Sequence, residues 1–325
     1  MESENYVKNT VDAMAVTPLI SILMPVYNAE KYVQQAIQSI LNQTHADWEL
    51  LILNDGSTDN SKSLIREFSD ARIKYTEQPN NLGYLRTCNS LFEKASGDFI
   101  TFLDADDTCH PERLASCLSV FHSDSELGFI TTDFNRVSEN GQKSSICSSN
   151  IDYTRYSTDS SYAPIICCAT IFIRSELLKI AGGYHPFFDD IGGEDYHWLF
   201  LLSRVGKGVH LNKAPYNYRT HSKQSHHLNQ NPLKYYFAEI NQELRWSIIN
   251  GNIDLLEQGS EVKNRWIQRA NANSSDLLFK RASSMLNRNE KIKAVITALK
   301  GLIKSPFSFT SWHRFLYLNY SALLR

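Results

Sequence analysis

Phe99-Ile100-Thr101-Phe102-Leu103-Asp104-Ala105-Asp106-Asp107 sets a short apolar run directly against three carboxylates. The apolar part is β-branched and aromatic and follows Ser96-Gly97-Asp98, so it reads as a buried parallel strand. The carboxylates then fall at its carboxyl end, where open α/β sheets bind ligands. In an extended segment, residues two apart share a face, so Asp104 and Asp106 point one way and Asp107 another. Crowded carboxylates repel, and one of them would normally stay protonated. A divalent cation removes the conflict, and hard oxygen ligands suit magnesium or manganese carried on a substrate diphosphate. Taken alone, the same residues also read as a solvated acidic turn before a helix, with Pro111 and Glu112 in its first turn.

Outward from this stretch, apolar strands alternate with helical patterns. Leu19–Met24 predicts a first strand stopped by Pro25, and Asn28 is placed as a cap for a helix carrying Tyr32, Val33, Ala36, Ile37, Ile40 and Leu41. Glu49–Leu53 predicts a second strand ending in Asn54-Asp55-Gly56-Ser57-Thr58-Asp59, and Ile73–Thr76 a third. Helices are expected around Leu64–Phe68 and Leu85–Phe92. This alternation implies a mostly parallel sheet with helices on both faces. Further on, Gly128–Asp133, Thr170–Ile173 and Tyr216–Arg219 predict strands, and 134–160 a loop or hairpin. The helix Ser175–Ile180 is ended by Gly182-Gly183, and Glu194-Asp195 opens another that stops near Gly206. His226 and His227 fall in a polar loop, and from about Pro232 the chain is helical.

Composition narrows the class. The 325 residues are 42% hydrophobic with a net charge of −2, enough for a real core and no sign of a general nucleic-acid binder. The six cysteines lack Cys-x-x-Cys spacing and read as reduced thiols of a cytoplasmic protein. Residues 1–17 read as a polar, flexible arm without a signal-peptide core, and no run of about 18 apolar residues occurs.

Three strand ends therefore offer functional groups on one sheet edge: Pro25-Val26-Tyr27-Asn28, Asn54-Asp55-Gly56-Ser57 and Asp104-Ala105-Asp106-Asp107. They suit an anionic, base-bearing ligand. Neither Gly-x-Gly-x-x-Gly nor a Gly-Lys-Ser/Thr loop is present, so a metal has to replace the usual phosphate cradle.

With these motifs the chain resembles glycosyltransferase family 2. The matching segments are Ser21–Asn28, Ser39–Thr44, Asn54–Asp59, Asn81-Leu82-Gly83 and Gly97–Asp107, extended by Gly182-Gly183-Tyr184, Glu194-Asp195 and Tyr218-Arg219-x-His221. The resemblance covers about residues 19–226 and implies the A-type glycosyltransferase (GT-A, Rossmann-like) fold. The expected organisation is a catalytic domain over 18–228, with a nucleotide-binding half (18–107) and an acceptor half (108–228), then a helical extension over 229–325. It implies that Tyr27 packs on the nucleotide base, lined by Pro25 and Val26, and that Asp55 meets the base, typically uracil. Arg86 would reach the nucleotide. Asp104, Ala105 and Asp106 would form the ribose–diphosphate and metal motif, with His221 a further metal ligand. Asp195 would be the catalytic base. Gly183, Glu194 and Arg219 would lie near the acceptor or diphosphate.

Each residue taken singly has a plainer reading. Tyr27 could be a core aromatic, Asp55 a turn former, Glu194-Asp195 an acidic helix start, His221 a surface histidine, and Arg219 the partner of an acid.

The resemblance implies inverting transfer of a sugar from a nucleotide-diphosphate sugar, a UDP-sugar foremost, to an acceptor hydroxyl on a glycan or lipid-linked molecule, with Mn2+ or Mg2+. Glycan or polysaccharide biosynthesis is the expected setting. The alternatives are a nucleotidyltransferase-like enzyme and a non-catalytic nucleotide-sugar binding module. A helix N-terminus should lower the basicity of Asp195, unless burial or Glu194 offsets it. In the tail, Ile292, Val295, Ile296, Leu299, Leu302 and Ile303 share one helical face, with Lys291, Lys293, Lys300 and Lys304 around the other, followed by Phe307, Phe309, Trp312, Phe315 and Tyr317. Residues 291–325 are thus expected to make peripheral contact with the inner face of the cell membrane, to pack on the catalytic domain, or to form a homodimer.

Overall fold

The first strand, β1 (Ile20–Val26), is buried on both faces along its whole length, as is β2 (Trp48–Asp55). Runs without polar alternation belong to parallel strands covered by helices on both sides. The computed structural model describes residues 17–221, 231–252, 255–272, 274–287, 291–305 and 309–324. His226, His227, Phe307 and the arm up to residue 16 lie outside the described residues.

β1 pairs in parallel with β2 and with β4 (Phe99–Phe102), and β2 pairs in parallel with β3 (Ile73–Gln78). The connections are α1 (Val33–Leu41), α2 (Ser61–Ile65) and α3 (Tyr84–Lys94). A two-residue strand β5 (Thr108–Cys109) and α4 (Arg113–Ser123) follow β4. Residues 108–228 add β6 (Leu127–Val137), β7 (Lys143–Cys147), α5 (Tyr153–Thr158), β8 (Phe172–Arg174), α6 (Ser175–Ala181), α7 (Glu194–Val205) and β9 (Lys207–Arg219). The described strands make one sheet in the order β3-β2-β1-β4-β8-β6-β9-β5, with β7 on β6. β8 runs antiparallel to β4 and β6, so the sheet is parallel from β3 to β4 and mixed beyond.

Several local expectations are corrected. β1 does not stop at Pro25 but continues to Val26, paired with Leu53 and Asn54. The Leu103 amide donates to the Leu23 carbonyl at 3.0 Å, so odd-numbered groups of β1 face β4. β4 has ended by the level of Pro25, and the missing N–H costs no ladder bond there. Asn28 is not a helix cap. It sits at φ 51° and its Oδ1 accepts from the Thr58 amide at 2.8 Å, while α1 begins only at Val33. The 134–160 segment holds the expected hairpin, β6–β7, and in addition the short helix α5. β9 begins at Lys207, nine residues before the expected Tyr216.

After residue 230 come α8 (Phe237–Ile249), α9 (Gly259–Ala272), α10 (Ser274–Asn287), α11 (Lys291–Lys304) and α12 (Phe309–Leu324). The packing continues across the expected division at 228/229. Leu233, Tyr236, Ile240, Leu244, Val262, Trp266 and Ala270 belong to the main core. Buried Arg245 on α8 donates to the carbonyls of Tyr156, Asp159 and Tyr162. Phe279, Ala282, Leu286, Ala294, Ala298, Leu302 and Leu318 form a separate apolar cluster of α10–α12. Among the described residues no helix is long and apolar enough to cross a membrane.

Candidate active site

Parallel pairing brings the ends of β1, β2 and β4 to one edge. Pro25 and Val26 are buried, and Tyr27, the first residue past β1, is 45% exposed, free to offer its ring to a ligand. The Asn28 amide donates to Ser57 Oγ at 3.0 Å, stitching the ends of β1 and β2 together. Asp55 is buried, and its carboxylate accepts from the amides of Leu82 (2.8 Å) and Gly83 (2.9 Å) and from Gln78 Nε2 (3.1 Å). A carboxylate has about four acceptor positions, so capacity for a further donor remains. Gly56 makes the approach of that loop possible: at φ 68°, a Cβ there would sit 2.7 Å from the Asn80 carbonyl carbon.

The acidic stretch is a turn, not the extended segment expected, closed by the Asp107 amide on the Asp104 carbonyl at 3.0 Å. Asp107 is 1% exposed and points inward, accepting from Tyr216 Oη (2.7 Å) and the Arg219 amide (2.6 Å). Ala105, also buried, forms the turn itself. Asp104 Oδ1 accepts from Tyr84 Oη at 3.3 Å. Asp106 Oδ2 meets His221 Nε2 at 2.8 Å, and the His221 ring lies 4.8 Å from that of Tyr32. Asp55 thus anchors the loop that presents Tyr84, and Tyr84 touches Asp104, linking the two clusters through one short segment.

Burial pushes the Asp104 carboxyl up to about 7, helped by the charge of Asp106 and opposed by Tyr84 and Arg113. Burial also drives Asp107 well above the usual carboxylate range, with Asp106 and Asp104 adding to it. Glu194 is pushed up to about 8, by burial first and then by the charge of Asp195. Asp195 rises to about 6 through burial, against its own amide and that of Tyr196 (2.9 Å). Burial therefore outweighs the helix N-terminus at Asp195. Asp195 acts on Asp104 electrostatically, and Asp104 on Glu194, so the α7 start belongs to the same cluster. So many carboxyls held above their normal range mark a site short of positive charge.

The remaining expected residues stand one step back. Arg86 pairs with Asp189 through Nε (2.9 Å) and Nη2 (2.7 Å). Gly183 lies against Asn89, where a Cβ would come within 2.6 Å of Oδ1. Arg219 is 3% exposed and donates to the Asp106 and Glu139 carbonyls, each at 2.7 Å, and to Gln35 Oε1 at 2.9 Å. It holds the carboxylate turn from behind.

Three residues of the site escaped sequence reasoning: Tyr84, Tyr216 and Arg113. The buried Arg113 guanidinium donates to the carbonyls of Phe102 and Ala169 and to Thr101 Oγ1, all at 2.8 Å, and lies 4.9 Å from the Tyr216 ring. The available signal was an arginine on the apolar stripe Leu114, Cys117, Leu118, Phe121. Support also comes from beyond the expected domain. Asn241 Nδ2 donates to the Gly193 carbonyl at 3.0 Å and Phe237 packs 5.5 Å from Tyr196, so α8 buttresses the start of α7.

A divalent cation fits part of this site. Asp106 Oδ2 and His221 Nε2 are 2.8 Å apart, near the roughly 3 Å that separates neighbouring ligands of an octahedral ion bound at about 2.1 Å. Among the described residues no three His, Cys, Asp or Glu side chains are grouped to hold a metal. Asp106 is the hard oxygen ligand of this pair, and substrate phosphates would complete the shell of an ion held there.

The family profile described as Glycosyl transferase family 2 matches residues 21–180. A chondroitin synthase of Pasteurella multocida (strain Pm70) is 31% identical over 250 residues, 76% of this chain and 25% of that protein. The chain thus spans about a quarter of that relative. The UDP-Glc:alpha-D-GlcNAc-diphosphoundecaprenol beta-1,3-glucosyltransferase WfgD of Escherichia coli is 33% identical over 187 residues, 57% of this chain and 70% of that protein. S. aureus TarS 1–349, solved with UDP-GlcNAc, superposes with a TM-score of 0.56 at 15% identity, covering 94% of this chain and 91% of its own. The mannosyltransferase PcManGT from Pyrobaculum calidifontis, solved with GDP-Man and Mn2+, gives 0.54 at 15% identity, covering 95% and 87%. At such identities the structures speak for the fold alone, which is that of A-type glycosyltransferases. The profile match and the similarity to a glucosyltransferase over most of its length carry the remaining step: the chain belongs to glycosyl transferase family 2 and is a glycosyltransferase.

Proposed function

We propose that the chain transfers a sugar, with inversion, from a nucleoside-diphosphate sugar to an acceptor hydroxyl during assembly of a surface polysaccharide at the cytoplasmic side of the membrane. The observation that carries this reading is the convergence of exposed Tyr27, anchored Asp55 and the Asp104–Asp106 turn on one sheet edge, with Asp195 electrostatically coupled to Asp104. Residues 18–107 bind the nucleotide in this reading, and 108–228 face the acceptor. UDP-sugars are the favoured donors, and a glycan or lipid-linked molecule the acceptor. Tyr27 stacks on the base and Asp55 accepts a hydrogen bond from it. Asp106 and His221 would hold Mn2+ or Mg2+, which when bound offsets charge on the leaving diphosphate. Asp195, raised to about 6, is ionised at neutral pH yet basic enough to take the acceptor hydroxyl proton. As its proton passes to Asp195, the acceptor oxygen bonds to the anomeric carbon on the face opposite the diphosphate, whose bond to that carbon breaks, and this gives inversion.

Release of nucleoside diphosphate from a panel of nucleotide-sugars, with manganese and with excess chelator, tests the proposal. Turnover of one UDP-sugar that stops in chelator and in Asp106→Ala is expected. Full activity in chelator overturns the metal assignment, and no turnover of any nucleotide-sugar overturns the donor reading.

A further inference from the structure

α11 is amphipathic in the reverse of the usual sense. Its small residues face inward: Ala294, Ala298 and Gly301 are buried with Leu302 against α10. A Cβ on Gly301 would come within 3.2 Å of the Phe279 ring and 3.3 Å of Leu278 Cβ, so the two helices approach closely. The large aliphatic residues face outward: Ile292 is 78% exposed, Ile296 50%, Leu299 45% and Ile303 68%. At about 100° per residue these four fall within roughly 60° of arc, forming one continuous stripe. The expected apolar face is therefore split, with Leu302 inside, Val295 half-buried and the other four outside. On α12, Trp312 and Leu316, four residues apart, are also exposed, as is Tyr317.

Charge identifies what covers the stripe. From Lys291 to Arg325 there is no Asp or Glu, while exposed Lys293, Lys300 and Lys304 line one side of the stripe, in a chain whose net charge is −2. A two-fold dimer through this face would bring like-charged lysines together. A surface carrying negative charge around an apolar interior satisfies both features at once. We propose that α11, with the exposed aromatic and aliphatic residues of α12, is a docking surface for an anionic lipid bilayer, lying in the interface without crossing it. The aliphatic stripe enters the acyl boundary and the lysines meet lipid phosphates. This surface lies outside the main core that holds the carboxylate cluster, so its occupancy is separable from donor chemistry.

The test is flotation of the full chain with vesicles of pure phosphatidylcholine and of phosphatidylcholine with 30% phosphatidylglycerol. Binding to the anionic vesicles alone, weakening as salt rises, is expected. Ile292→Ser/Ile296→Ser/Ile303→Ser should reduce it at least tenfold, and each lysine changed to glutamine by roughly fivefold. All variants should keep the wild-type circular dichroism spectrum and affinity for UDP with manganese, because the altered side chains are exposed. Failure of the wild-type chain to float, or retention of binding by the triple variant, overturns the proposal. So does a wild-type dimer in light scattering that the triple variant converts to monomer, which would assign the stripe to a second copy.

Discussion

Asp55 and Asp195 are single acids serving one site from two regions built on opposite electrostatic plans. At the end of β2, Asp55 is surrounded by donors, two backbone amides and a side-chain amide. At the start of α7, Asp195 has only local amides, and burial holds it up at about 6 beside Glu194 at about 8. A carboxylate fixed by three donors, with one acceptor position left, is suited to holding a ligand in ground and transition states alike. A carboxylate with fewer donors, raised by burial, is suited to take up a proton. The contrast supports the proposed division, with binding at the β2 end and chemistry at the α7 start, and each part can be broken separately.

The largest effect is expected at α7. Asp195→Asn should lower kcat by roughly 10²–10⁴ while leaving donor affinity near normal. Calorimetry with UDP and manganese measures affinity independently of turnover. A near wild-type kcat would move the base elsewhere, with Glu194 next to be examined. At β2 the pattern should invert. Asp55→Ala should raise the donor KM by about 10–100-fold, the scale of a lost charge-assisted hydrogen bond plus a loosened 80–83 loop, with a smaller change in kcat. If the two variants show the same balance of kcat and KM, the division of labour fails.

Acid inactivation sharpens the contrast. Because Asp195 must be ionised to accept a proton, kcat/KM should fall about tenfold per pH unit below about 6. A profile flat down to pH 5 contradicts the raised carboxyl. The smallest effect concerns stability. Glu194 has its carboxyl raised in the folded state, so its contribution to stability is fully present below the unfolded value near 4 and is lost as pH rises through about 8. Glu194→Gln should remove that loss. At pH 8 the variant should melt about 1–2 °C higher than the parent, corresponding to roughly 1 kcal/mol in a chain of this size, and the gap should close towards pH 4. A lower melting temperature at pH 8 would show that the Glu194 carboxylate is stabilised rather than strained.

Much of the nucleotide half was legible in sequence because its signals are local. Runs such as Leu19–Met24 and Phe99–Phe102, short, β-branched and bounded by turn residues, read as buried strands, and the polar residues that follow them emerge at one edge once the strands are parallel. β9 was read short because its first residues are polar and half-buried, and they hold their place by pairing with β6 rather than by apolar alternation. Asn28 and Pro25 were misread because a turn partner and the end of a neighbouring strand, both distant in sequence, decide their roles.

Sequence alone determined the strand–helix alternation, the carboxylates at the strand ends and the acid-free, lysine-bearing tail, since each follows from residue type and short-range period. Only the tertiary structure decided what those groups do. It turned Asp107 inward onto Tyr216, set Arg113 and Arg219 behind the acidic turn, and seated α8 against the start of α7. It also chose which side of α11 is buried. Periodicity favours burying the large aliphatic face, yet close approach to α10 requires the small one, and only a contact between helices can settle that competition.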